Sequence, residues 1–108
     1  MKSLVLGLVC CVCCAGTAHA QDKVAKGEKA YADNKCAMCH SIGDKGNKKG
    51  PLDGVASKYS AADLKAWIVD AAGMTAKTKA ERKPAMKNYT LPAEDVDGLV
   101  AYMQTLKK

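Results

Sequence analysis

Apolar residues recur at helical intervals in three segments of this 108-residue chain. In the first, residues 23–34, Val24, Gly27 and Tyr31 stand three or four positions apart and so share one face of a helix. The other two segments show the same spacing: Leu64, Trp67 and Ile68, followed by Val96, Leu99, Val100, Met103 and Leu106. No run beyond residue 20 alternates convincingly between apolar and polar positions as a strand would. The pattern predicts an all-α domain.

Capping and turn residues set the expected limits of these helices. Ser60 is a typical N-cap, and Asp63 follows it in a box-like arrangement, so the middle helix should begin here and stop near Gly73. Residues 43–50, rich in glycine and lysine, are expected to form a polar loop. Residues 74–89 contain basic side chains and a proline but no clear period, and we expect them to be mostly loop.

The first twenty residues have the three parts of a secretory signal. Lys2 supplies a positive start, residues 4–15 form an apolar run, and the tripeptide A-H-A at 18–20 is a cleavage site. The apolar run is shorter than the roughly 20 residues that a membrane-spanning helix needs, so we expect no stable membrane insertion. The sequence therefore predicts a cleaved signal peptide at 1–20, a single domain at 21–108 and a periplasmic location.

Removal of that signal would change the composition in ways that bear on function. Four of the six cysteines would leave, so that only Cys36 and Cys39 remain, and sixteen basic residues would stand against eleven acidic ones. Residues 21–108 contain no phenylalanine, four tyrosines and one tryptophan. A core of this size and composition is marginal by itself. A large apolar cofactor inside the domain would supply the missing volume.

The pentapeptide Cys36-Ala37-Met38-Cys39-His40 is the most specific chemical signal in the chain. C-x-x-C-H is the attachment sequence of c-type haem, in which both thiols add to haem vinyl groups and the histidine binds the iron. A helical turn brings these three side chains to one side. A zinc site would need two more ligands, a thioredoxin-type pair a βαβ context, and a simple disulfide would leave His40 unused. We therefore expect one covalent haem c at Cys36 and Cys39, with His40 as proximal ligand.

Further blocks of sequence extend this match over nearly all of residues 21–108. In chain order they are Gly27 and Tyr31, the attachment motif, Gly50-Pro51-Leu52-Asp53-Gly54-Val55, Leu64 with Trp67-Ile68, Lys83-Pro84-Ala85-Met86 and Leu99-Val100-Ala101-Tyr102-Met103. With these blocks the chain resembles a small class I cytochrome c. The resemblance implies the class I fold, in which helices pack around one covalently bound haem.

The resemblance also implies roles for individual residues. The first and last helices should cross, with Gly27 allowing close approach and Tyr31 and Tyr102 packing nearby. The Pro51 carbonyl should accept a hydrogen bond from the proximal histidine, which fixes the tautomer of its ring. Trp67 matches an aromatic position beside the distal face of the haem, although a tryptophan of a middle helix is equally suited to the core.

Composition narrows the choice of the second axial ligand. Once the signal is removed His40 is the only histidine, so the choices are methionine, lysine or no protein ligand. Met38 belongs to the attachment motif, and Met103 fits the apolar face of the last helix. Between Met74 and Met86 the resemblance favours Met86, which follows Lys-Pro-Ala in a segment similar to the ligand loop of the family.

A haem held between His40 and Met86 suits electron transfer, because both axial positions of the iron are closed. We expect a soluble, monomeric carrier that cycles iron between Fe(III) and Fe(II) and is not an enzyme. Two alternatives stay open. One is a haem subunit of a larger oxidoreductase, and the other is a small ligand sensor or peroxidase with a displaceable Met86.

Two groups of basic residues predict the kind of partner. They are Lys45, Lys48 and Lys49 after the attachment motif, and Lys77, Lys79, Arg82, Lys83 and Lys87 around Met86. Placed beside the haem edge, they would steer a redox partner protein with an acidic docking surface. Ordinary solvated lysines are the alternative interpretation. A nucleic acid partner is not expected, because no base-reading motif accompanies the charge.

Overall fold

The computed structural model describes residues 15–107, with side chains from residue 20 onward. The elements in chain order are α1 (Ala15–Asp33), a 3-10 turn (Cys36–Met38), β1 (Ser41–Ile42), β2 (Lys45–Gly46), α2 (Val55–Lys58), α3 (Ala61–Val69), α4 (Ala71–Thr78) and α5 (Ala93–Gln104). The two strands pair antiparallel, Ser41 opposite Gly46 and Ile42 opposite Lys45. The described chain is therefore mainly helical, which confirms the all-α prediction.

Helices α1 and α5 pack against each other through one glycine from each. A Cβ built on Gly27 would lie 2.0 Å from the carbonyl oxygen of Gly98 and 2.8 Å from the Cβ of Tyr102. A Cβ built on Gly98 would lie 2.8 Å from the amide nitrogen of Gly27. Beside this contact the rings of Tyr31 and Tyr102 meet edge to face, with centroids 5.8 Å apart. The predicted crossing is confirmed, and Gly98 is a second glycine that makes it possible.

The core lies where α1, α3 and α5 meet. Its buried cluster consists of Ala30, Ile68, Val96 and Leu99. The partly buried side chains of Tyr89 and Leu91, from the connection between α4 and α5, pack against this cluster. That connection therefore covers one side of the core although it contains no helix.

The start of the middle helix matches the prediction, but its end does not. The Ser60 side chain accepts a hydrogen bond from the amide of Asp63 at 3.2 Å, which confirms Ser60 as the N-cap of α3. Helix α3 ends at Val69, where Asp70 leaves helical geometry. The Asp70 carboxylate then accepts from the amide of Gly73 at 3.2 Å and so begins a new helix.

Helix α4 covers only the first five of residues 74–89, so the prediction that this stretch is mostly loop is confirmed. It continues through Thr78 and buries Ala71 and Met74, which stand three positions apart on one face. The remainder, residues 79–89, has no helix or strand, as expected. What the structure corrects is the middle helix, which was expected to run without a break to near Gly73: Asp70 ends α3 and caps a new helix that continues past Gly73.

Two smaller differences concern the first helix and the polar loop. Helix α1 begins at Ala15 rather than at residue 23, and it runs through the predicted cleavage site. Most of the predicted signal sequence lies outside the described residues, so its cleavage stays a prediction. Residues 43–50 include the short strand β2, although the chain there is otherwise a polar loop. Between residues 15 and 107 we find no helix with the length and apolar character needed to cross a bilayer.

Candidate functional site

The C-x-x-C-H sequence folds into one tight turn directly after α1. Lys35 takes a left-handed backbone conformation, with φ 54° and ψ 39°, and so redirects the chain out of the helix. The amides of Cys39 and His40 both donate to the carbonyl of Cys36, at 3.1 and 2.9 Å. The two cysteines and the histidine are thus fixed in one backbone unit. The two cysteines form no disulfide with each other, and burial raises the pKa of the Cys36 thiol.

Asn47 clamps this turn from the hairpin that follows it. Its amide donates to the carbonyls of His40 and Ala37 at 2.9 and 3.0 Å, and its Nδ2 donates to the carbonyl of Met38 at 3.0 Å. Gly46, just before it, has φ 99°, and a Cβ there would lie 2.2 Å from the carbonyl oxygen of His40. The hairpin therefore lies directly on the turn, where only glycine fits.

The His40 ring is oriented by a backbone carbonyl. Its Nδ1 lies 3.0 Å from the carbonyl oxygen of Gly50. Because a carbonyl oxygen only accepts, Nδ1 carries the proton and Nε2 keeps a free lone pair. Burial lowers the pKa of His40, as does the nearby charge of Arg82, while the Gly50 hydrogen bond opposes both. The neutral ring at pH 7 therefore presents Nε2 as a metal ligand.

The acceptor is Gly50 and not Pro51, which corrects the role implied by the family resemblance. Ser41 and Pro51 form an isolated bridge, in which the Ser41 amide donates to the Gly50 carbonyl at 3.1 Å and the Leu52 amide donates to the Ser41 carbonyl at 2.8 Å. This pairing turns the Gly50 carbonyl toward the histidine loop, where it accepts from both His40 and Ser41. A shift of one residue in such a pairing leaves no trace in sequence spacing.

Met86 lies on a separate stretch, residues 79–92, which we term the ligand segment. Met86 itself is half-buried. Two hydrogen bonds anchor the segment just after it: Asn88 Oδ1 accepts from the amide of Ala72 at 2.9 Å, and the amide of Tyr89 donates to the carbonyl of Ile68 at 2.9 Å. Burial, with a smaller contribution from the Cys36 and Cys39 thiols, raises the pKa of Tyr89. The two hydrogen bonds therefore hold the segment against α3 and α4.

The other methionines occupy different surroundings. Met74 is 6% exposed within α4, and Met103 is 7% exposed within α5, so both belong to the packed interior. Met38 is 70% exposed in the attachment turn. Among these residues Met86 alone combines partial burial with an irregular backbone, which allows its side chain to be directed toward a ligand rather than into a helix contact.

Two buried donors lack hydrogen-bond acceptors among the described residues. They are the hydroxyl of Tyr31 and Nε1 of Trp67, and the Trp67 ring also meets Tyr59 edge to face at 6.2 Å. Burial raises the pKa of Tyr31 to about 12. Buried N–H and O–H groups normally have partners. Haem carries two propionate carboxylates, and these donors fit a cofactor with such acceptors.

The family model described as Cytochrome c matches residues 24–107. The chain therefore belongs to the cytochrome c family, and it is a haem-binding electron-transfer protein with one covalently attached haem c. As a family member it exchanges electrons with redox partners. No curated protein and no solved structure matches the chain.

Three residues of the site were not identified from the sequence. Asn47 was seen only as part of a polar loop, yet it binds three carbonyls of the attachment turn. Gly50 was recognised as part of a block but not as the acceptor for His40, and Asn88 was not considered. The repeated glycines around Asn47 were the available signal, since they indicate close backbone approach.

Proposed function

We propose that this cytochrome is a soluble, monomeric electron carrier of the periplasm, with haem c joined to Cys36 and Cys39 and its iron held between His40 and Met86. When bound, haem c supplies an iron that accepts one electron as Fe(III) and gives it up as Fe(II). The residues of this chain attach the haem, supply its axial ligands and hold them in place.

The observation that carries the proposal is the fixed tautomer of His40. The hydrogen bond from Nδ1 to the Gly50 carbonyl directs the unprotonated Nε2 away from the backbone. Such a bond orients a metal-binding imidazole and increases its basicity as a ligand. The same turn carries the Cys36 and Cys39 thiols on its backbone, so one rigid unit offers two attachment points and one ligand.

Met86 is supported as the second ligand by its place on the ligand segment. A thioether is a soft, neutral donor that raises the potential of a haem relative to ligands that prefer ferric iron. The segment is bound to the helices at Asn88 and Tyr89, only two and three residues beyond Met86. These anchors limit how far the side chain can move, so a closed iron site is expected to persist.

The exposed basic residues are the evidence that the redox partner docks through an acidic surface. The lysines of both groups are exposed: Lys45, Lys48, Lys49, Lys77, Lys79, Lys83 and Lys87. One contact links the two groups: Arg82 of the second group lies against Gly50, the residue after Lys49. Lys→Glu changes at Lys49 and Lys83 should slow electron transfer with the partner, and added salt should slow the unaltered protein. A rate that stays constant with ionic strength would contradict docking by charge.

The proposed attachment and ligation can be tested on protein exported with its own first twenty residues. Its intact mass should equal that of residues 21–108 plus one haem, and the pigment should remain with the protein during acid-acetone extraction. The reduced protein should not bind carbon monoxide, because both axial positions are closed. Freely extracted pigment would refute covalent attachment, and carbon monoxide binding would favour the sensor or peroxidase alternative.

A further inference from the structure

Arg82, on the ligand segment, lies against the residue that orients His40. A Cβ built on Gly50 would lie 1.9 Å from Nη1 of Arg82 and 2.8 Å from its Cζ. The same point is 2.3 Å from the carbonyl oxygen of Cys39. The guanidinium group therefore covers the Cα of Gly50 beside the backbone of the attachment turn. Any side chain at residue 50 would displace it.

This contact connects the segment that carries Met86 with the loop that orients His40. Arg82 stands four residues before Met86, and Gly50 supplies the carbonyl that accepts from both His40 Nδ1 and the Ser41 amide. The Arg82 side chain is exposed, and its guanidinium lies against the residue whose carbonyl accepts from His40.

Among residues 20–107, no carboxylate forms an ion pair with Arg82. Within the described residues the side-chain ion pairs are Lys26 with Glu94 and Lys29 with Asp33, and both lie on or between α1 and α5. An uncompensated cation beside the proximal loop disfavours the more positive, oxidised state of a nearby redox centre.

We propose that Arg82 is a positioning residue for the proximal histidine: it presses on Gly50, holds the carbonyl that binds His40 Nδ1, and raises the midpoint potential of the haem. The inference rests on His40 being the proximal ligand, as proposed above. A surface lysine that only attracts a partner would do neither of these things. The role therefore separates Arg82 from the lysines around it.

Three variants of the holoprotein test this role: Arg82→Gln, Arg82→Lys and the matched control Lys83→Gln, which removes one charge from the neighbouring exposed residue. The two measurements are the midpoint potential and the hydrogen-exchange rate of the buried Ser41 amide, which donates to the Gly50 carbonyl. Arg82→Gln should lower the potential and speed Ser41 exchange by roughly fivefold, the effect of weakening one hydrogen bond. Arg82→Lys should restore most of the potential but not the slow exchange.

Equal shifts in potential for Arg82→Gln and Lys83→Gln, with unchanged Ser41 exchange, would overturn the inference and reduce Arg82 to a surface charge. The absorption spectrum of the unaltered protein keeps this result separate from the proposed function. A spectrum without the bands of histidine-methionine ligation would refute the ligand assignment itself. A normal spectrum with indistinguishable variants would refute only the role of Arg82.

Discussion

The crossing of α1 and α5 and the ligand segment are held together by opposite means. At the crossing, backbone meets backbone through Gly27 and Gly98, and apolar side chains on both helices are buried around the contact. The ligand segment has no regular structure and relies on a few side-chain and backbone contacts, chiefly those of Arg82, Asn88 and Tyr89. A change at the crossing should therefore alter global stability, whereas a change in the segment should alter the iron ligation.

Loss of the haem should have the largest effect, because both the α1–α5 crossing and the ligand segment depend on the apolar volume that the haem supplies. The double variant Cys36→Ser, Cys39→Ser cannot attach haem, and its small core with few aromatic residues should leave the chain largely unfolded by circular dichroism. The control is Met38→Ala, which changes the exposed residue between the two cysteines and should keep both haem and helicity. Native-like helicity and a cooperative melt without haem would show that the polypeptide folds alone.

Gly27→Ala should have the next largest effect, and it should act on stability alone. Its Cβ would meet the backbone of Gly98 at 2.0 Å, where no flexible side chain can move aside, so the helices must separate. We expect a loss of roughly 2–3 kcal/mol in the free energy of unfolding, measured by denaturant titration of the holoprotein. Glu28→Ala, at the adjacent exposed position, should change stability by less than about 0.5 kcal/mol. If Gly27→Ala shifted the midpoint potential as much as Met86→Ala does, the crossing would not act on stability alone.

Asn88→Ala should show the opposite pattern, a small loss of stability with a clear effect at the iron. The variant removes the acceptor for the Ala72 amide, at a cost of about 1 kcal/mol, and frees the ligand segment two residues beyond Met86. Added imidazole should then displace the distal ligand more readily in ferric protein, as followed by absorption. Thr90→Ala, in the same segment and exposed, is the control. Equal imidazole affinity in the two variants would show that the Asn88 hydrogen bond does not restrain the distal ligand.

The smallest predicted effect lies where the ligand segment begins. Lys79 ends α4 with φ 56° and ψ 40°, a left-handed conformation that glycine adopts at lower cost. Lys79→Gly should therefore stabilise the protein by about 1 kcal/mol. Lys77→Gly, inside the same helix, should instead destabilise it by about 1 kcal/mol. Thermal melts that moved in the same direction for both variants would argue against a left-handed residue 79.

The contrast between the helix crossing and the ligand segment also explains which parts of the fold could be predicted from the sequence. Helix α5 was predicted because its apolar residues keep helical spacing from Val96 to Leu106, and its crossing with α1 near Gly27, Tyr31 and Tyr102 was implied by the resemblance to class I cytochromes c. Gly98 was missed because a glycine inside an apolar helix carries no spacing signal of its own. Its role depends on which residue of α1 it meets, and that is a property of the packed structure.

The covalent haem c that family membership confirms was predicted from the sequence, whereas the residues that hold the attachment turn in place were not. The C-x-x-C-H spacing of Cys36, Cys39 and His40 is a local sequence signal, so it can be recognised without knowledge of the fold. The choice of Gly50 over Pro51 as acceptor depends on a one-residue register between two loops, and the contact of Arg82 with Gly50 joins residues 32 positions apart. Such long-range pairings are set by tertiary packing and not by local pattern.

The central claim, that His40 and Met86 hold the iron, is tested most directly by the ferric absorption spectra of Met86→Ala and Met74→Ala. Met86→Ala should abolish the weak red band of methionine-ligated ferric haem and lower the midpoint potential. Met74→Ala should keep the band and nearly the same potential, although removal of a side chain that is 6% exposed should cost roughly 2–4 kcal/mol of stability. Loss of the band in Met74→Ala and its survival in Met86→Ala would contradict the account and move the ligand to α4.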